Sequence, residues 1–332
     1  MSAWTRCLTL SSAVILVLVP AMVMASPTSA QTKLRWAHVY EVTEPYHTEA
    51  LWAAGEIRKR SNGKYDIEVF PASRLGNENQ LNEGLRLGTV DIVYVGINFV
   101  AAIYKPLGIT GAPFMLRDFD HWKAYRASKL FADLSKDYED KTRHKIVALT
   151  YYGQRHVTAN KPIMKPEDMK GMKLRVPPAP LLLMFTRSVG ADATPIGFSD
   201  VYNALQQGLV DGQENPLPTI MAKKFYEVQS HIVLTGHITE SMVTVVGSHV
   251  WNKLTPDEQK LFADTMKEAA AKATEAIEAS ERVLSAQLKK LGMTVVEPDR
   301  EAFRKAALPL HNDASAGAGW TRAQYDELQS LK

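Results

Sequence analysis

From Thr255 to Gly292 nothing in the sequence interrupts a helix. Thr255-Pro256-Asp257-Glu258 supplies a capping threonine, a proline at the first helical position and a glutamate placed for a capping box. No further proline or glycine occurs before Gly292. Such a run of about 36 residues stretches about 54 Å at 1.5 Å per residue, longer than one lobe is wide. The spacing therefore predicts a rod over 255–292 that crosses two lobes. Its Ala- and Glu-rich middle, KEAAAKATEAIEASE, sustains no heptad seam, which argues against a coiled coil.

The stretches before the rod alternate between strand and helix. Lys33–Ala37, Tyr65–Phe70, Val90–Val95 and Lys145–Tyr152 read as strands, with helices opened by Pro45 and closed at Gly88 between the first three. Near-continuous apolar strands separated by such helices indicate an α/β, doubly wound arrangement. The chain crosses into a second lobe near Gly153 and returns over Ile238–Met242, so both lobes are discontinuous and a hinge is expected between them. Lobe I then comprises 31–152 with 241–280, and lobe II 153–240 with 281–332. Together these give two discontinuous α/β lobes joined by a hinge.

With 332 residues the chain can bury a sizeable core, and 45% hydrophobic with 23% charged residues is ordinary for a globular protein. A net charge of +3 and the lack of a basic run argue against nucleic acid as a partner. Residues 1–30 read as an export signal, with Arg6 in the positive region, apolar Ala13–Met24, and cleavage after Ala30 or Ala25. The apolar run is short of the roughly 20 residues that span a bilayer. Cys7, the single cysteine, lies inside that signal, so the exported chain has neither disulfide nor thiolate site. A bacterial periplasm suits it.

The stretch Gly171–Pro218 carries the chemistry. A short strand, Met172–Val176, ends at Pro177 and Pro178, which puts Arg175 near the carboxyl end of a strand, where open α/β sheets bind ligands. Ser199 is placed to cap a helix over Asp200–Gln207, and Val210–Pro216 reads as a polar, proline-stopped turn. A guanidinium fork facing such a turn suits a carboxylate, although arginines more commonly end in surface salt bridges. Arg155 would by itself be a surface residue, Asn215 a turn residue, and Phe198 a hydrophobic staple. In the first lobe His38, Glu41, Tyr46, Glu78, Asn79 and Asn98 come from loops at strand carboxyl ends, and Glu240 lies at the hinge return.

KGMKLRVP, GADATPIGFSDVYNALQQGLVDGQENP and KKFYEVQ resemble the solute-binding proteins of tripartite ATP-independent periplasmic (TRAP) transporters, in the dicarboxylate-binding, DctP-like branch. The resemblance runs from about Leu34 to the last helix and implies the two-lobed fold of a Venus-flytrap periplasmic binding protein. It implies that Arg175 binds the substrate carboxylate, that Asn215 reaches the same group, and that Arg155 assists from the cleft. It also implies that Phe198 lies against the ligand, and that small and large integral membrane subunits are the partners. Pro178 stands where the sialic-acid-binding branch has asparagine, which argues against that ligand.

The expected protein is a monomer that carries an organic acid without cofactor or metal. HExxH, GxSxG, P-loop and GxGxxG motifs do not occur, so hydrolytic, phosphoryl-transfer and dinucleotide chemistry lack their usual parts. A periplasmic enzyme, a receptor-coupled sensor and the binding protein of an ATP-driven importer are the competing classes. Acidic and amide residues in the first-lobe loops suit hydroxyl groups, so a hexuronate-like sugar acid is favoured over a C4-dicarboxylate or an aromatic or keto acid. Arg74 is the cation that could instead clamp a second carboxylate.

Overall fold

The computed structural model describes Met1 and residues 31–332. The expected signal, Cys7 and both expected cleavage bonds lie outside the described residues. Among those described, nine strands form one sheet: β1 (Thr32–His38), β2 (Tyr65–Phe70), β3 (Ile92–Gly96), β4 (Lys145–Ala159), β5 (Lys173–Val176), β6 (Asp192–Pro195), β7 (Gly212–Pro216), β8 (His231–Val246) and β9 (Thr294–Val296). Their order is β2-β1-β3-β8-β4-β7-β5-β6, with β9 beside β8. β1 runs parallel to β2 and β3, and β5 runs parallel to β6 and β7. Parallel neighbours need crossovers, and helices supply them on both flanks. The result is a two-lobed α/β protein.

β4 and β8 join the flanks, antiparallel to each other and 15 and 16 residues long. Lys145–Tyr151 of β4 pairs with Ser241–Val246 of β8, which also pairs with β3. Arg155–Ala159 pairs with β7, and the opposite end of β8 meets β9. Register shifts at Tyr151/Gly153 and Arg155/Val157 mark the changeover. Gly153 has φ +112°, and a Cβ there would stand 2.9 Å from both Glu281 Oε1 and Pro216 Cβ. Only glycine fits.

The long helix is a single element, Pro256–Lys290, entered through a complete Thr255–Glu258 capping box. Phe262 meets Tyr65 edge-on at 5.0 Å, and Glu268 pairs with Arg60 at 3.2 Å. Further along, Glu281 accepts from the Tyr151 hydroxyl at 2.7 Å and from the Gln154 amide at 2.6 Å. The rod thus packs on the β1–β3 flank and also grips β4 where its register shifts.

Three local expectations change. Gly212–Pro216 is a fully buried strand rather than a turn. Its polar side chains are satisfied by neighbouring strands, and a Cβ on Gly212 would come within 2.2 Å of the Thr158 carbonyl oxygen, so strand pairing selects the glycine. Ser199 does not cap the helix that follows. The chain enters Val201–Gln206 through a 3-10 turn, Phe198–Asp200, and Ser199 Oγ donates to Asp200 Oδ1 at 3.3 Å instead. β4 and β8 also run further than their apolar stretches, because the buried polar residues that extend them find partners in the sheet.

Candidate binding site

Arg175 stands next to last in β5, 1% exposed, with Pro177 and Pro178 turning the chain away behind it. Nε and Nη2 donate to the Ile196 carbonyl at 2.9 and 2.6 Å. Nη1 is buried without a partner. Burial pushes the guanidinium down to about 10, against the pull of Glu214 and Glu78, so it is charged at neutral pH.

Arg155, on β4, is differently placed. Nε and Nη2 bind the Glu214 carboxylate, Nη1 binds Glu240 Oε2, and Nη2 also donates to the Glu214 carbonyl at 2.7 Å. Every nitrogen of this guanidinium is engaged by the protein. Burial disfavours the charge on Glu214, but Arg155 and His237 (Nε2 to Oε2 3.2 Å) outweigh it and hold the carboxyl below its usual range. Glu240 is pushed up by its burial, with Arg155 opposing. Asn98 Nδ2 donates to Glu240 Oε1 at 3.0 Å.

Both arginines line one cavity with Glu78, Asn215, Glu240, Tyr40, Phe99, Tyr152 and Phe198. Its free volume is about 20 Å³, room for about one water. Asn215 Nδ2 donates to Gln213 at 2.6 Å, and its Oδ1 lies 3.3 Å from Arg155 Nη2. Glu78 is 5% exposed, its Oε2 has no partner, and burial raises its pKa. Phe198 faces Tyr40, their ring centres 6.5 Å apart.

The structure thus brings together Arg175, Arg155, Asn215, Phe198, Glu78 and Glu240. It leaves four sequence candidates outside the lining and a fifth behind it. His38 is buried against His47 (3.2 Å) and stacks on Tyr40, and burial lowers its pKa to about 3. Glu41 pairs with Lys223 at 2.8 Å. Tyr46 donates to the Tyr152 carbonyl at 2.9 Å, and Asn79 Nδ2 donates to the Pro178 carbonyl at 3.1 Å. Asn98 stands behind Glu240. Arg74 is exposed, its guanidinium 5.4 Å from the Phe70 ring, and supplies no cation to the cavity. Sequence reading missed Tyr40, Phe99, Tyr152 and Glu214. Tyr152 carried a signal, as an aromatic residue immediately before the glycine at the crossing, and Glu214 stood inside the QENP string.

Comparison with known proteins decides the family. The description "Bacterial extracellular solute-binding protein, family 7" (DctP) matches residues 36–317. The chain belongs to this family. Its members are solute-binding proteins of TRAP transporters, so the resemblance carried by RVP and QENP is confirmed. The sialic acid-binding periplasmic protein SiaP of Vibrio cholerae is 31% identical over 89% of this chain and 92% of its own length. A TRAP solute-binding protein from Polaromonas sp. JS666, bound to D-erythronate, superposes with TM-score 0.86 at 32% identity, covering 91% of this chain and 99% of the other. One from Sulfurospirillum deleyianum with bound succinate gives TM-score 0.84 at 26% identity, over 90% and 99%.

Proposed function

We propose that this DctP-family protein captures a hydroxylated monocarboxylate, a sugar acid of hexuronate-like type, and hands it to the membrane subunits of a TRAP transporter. The observation that carries the reading is a pair of unpartnered atoms in one buried cavity: Arg175 Nη1, a donor, and Glu78 Oε2, an acceptor. A ligand carboxylate answers the first and a ligand hydroxyl the second. Asn215 stands ready beside the carboxylate, and once the lobes part and widen the cavity beyond its one-water volume, Tyr40, Phe99, Tyr152 and Phe198 give apolar faces for a carbon chain. Arg155 serves by holding Glu214 and Glu240 in place, and Asn98 by holding Glu240. His38 and Glu41 act through Tyr40 and Lys223.

The lobes are 31–152 with 241–280 and 153–240 with 281–332, hinged where β4 and β8 cross. Residues 1–30 are the export signal, removed on secretion, and the carrier acts as a monomer. A dicarboxylate such as the succinate of the Sulfurospirillum relative would set its second charge near Glu78 and Glu240, and the other cation of the lining, Arg155, is already taken by Glu214 and Glu240. The aromatic walls favour an aromatic or keto acid as the second reading.

Thermal melting against D-erythronate, D-glucuronate, D-galacturonate, succinate, malate and phenylpyruvate separates these. Ligand that binds only the folded state adds about 2.7 kcal/mol at a hundredfold excess over Kd. The sugar acids should raise the melting temperature most, and mass spectrometry should return them unchanged. A larger shift with succinate or malate would overturn the ligand class.

A further inference from the structure

The loop after β1 is tied to the segment after β7 by contacts that involve no ligand group. Glu41 Oε1 accepts from Lys223 Nζ at 2.8 Å, with side chains 26% and 16% exposed. Three residues on, Glu44 Oε1 accepts from Thr219 Oγ1 at 2.7 Å, both residues being almost fully buried. The Glu41 amide donates to Glu44 Oε2 at 2.7 Å, so the two acids form one rigid unit. In the sheet, β1 and β7 are separated by β3, β8 and β4, so these bonds bridge over the crossing strands. They sit beside the cavity: Tyr40 of the same loop lines it, and Lys223 Nζ stands 5.1 Å from the Phe198 ring that forms its wall.

We propose that Glu41 and Glu44, gripping Lys223 and Thr219, are a latch that favours the closed arrangement of the lobes independently of the ligand. The proposal rests on the two-lobed, closing reading given above. An ion pair of this exposure shifts a two-state balance by a fewfold, enough to tune release without fixing the lobes shut.

Small-angle scattering of the ligand-free protein tests it. Glu41→Gln and Lys223→Met should each lower the closed-to-open ratio about threefold or more, seen as a larger radius of gyration. The charge-swapped pair Glu41→Lys with Lys223→Glu should bring the radius back toward wild type. Circular dichroism of each variant checks that the fold is kept. Single variants with the wild-type radius, or a swap as expanded as the singles, would overturn the latch. Wild type with a saturating sugar acid reports separately on closure. If single variants match wild type while ligand still contracts it, the latch alone fails.

Discussion

Arg155 and Glu240 meet across the two crossing strands, Arg155 Nη1 donating to Glu240 Oε2, while Glu214 takes the rest of the same guanidinium. The cavity's two arginines therefore do different things. Arg155 neutralises protein carboxylates at the point where the strands change flanks, and Arg175 keeps Nη1 buried and unpartnered.

Removing Arg155 should damage the fold more than the binding specificity. Arg155→Ala leaves Glu214 and Glu240 buried without their cation, a loss of about 3–5 kcal/mol. Glu240→Gln keeps the Arg155–Glu214 pair and should cost less. Urea unfolding of both variants measures this, and an Arg155→Ala protein within about 1 kcal/mol of wild type would contradict it.

Burial raises both Glu44 and Glu281 to about 7, from an ordinary value of 4.5. Between those values the folded chain binds more protons than the unfolded one. Their contribution to stability is therefore full below about 4.5 and lost as the pH rises through 7. Relative to Glu281→Gln, wild type should be more stable at pH 5 than at pH 8. A difference between the two proteins that does not change with pH would contradict the burial argument.

Gly212→Ala should destabilise by about 1–3 kcal/mol, because its Cβ would meet the Thr158 carbonyl oxygen at 2.2 Å. The urea midpoint reads this directly. A change within 0.5 kcal/mol would mean that β4 and β7 can separate locally.

Much of this architecture was legible because its signals are local. The capping box at Thr255 and the unbroken run behind it gave the long helix, and the apolar runs of β1 to β3 gave one flank. The central strands were harder. Gln154, Arg155 and His156 in β4, and Gln213, Glu214 and Asn215 in β7, are polar enough to read as loop or turn. They sit in strands because Arg155 meets Glu214, His156 accepts from the Gly236 amide and Gln213 donates to Thr158, each across to a strand distant in sequence. Arg175 was legible from its strand end and the prolines behind it. Arg155 read by itself as a surface residue because its partners, Glu214 and Glu240, lie 59 and 85 residues away, and only the family resemblance placed it in the cleft. Tyr40 and Phe99 carried no pattern that separates a cavity wall from a core.

Arg175 is the proposed anchor of the ligand carboxylate. Isothermal titration of wild type, Arg175→Ala and Arg175→Lys with the acid giving the largest melting shift tests it most directly. Loss of the buried charge partner should weaken binding at least a hundredfold in the alanine variant, with the fold intact by circular dichroism, and lysine should not restore the two-pronged geometry. Affinity within threefold of wild type in Arg175→Ala would show that another group holds the carboxylate.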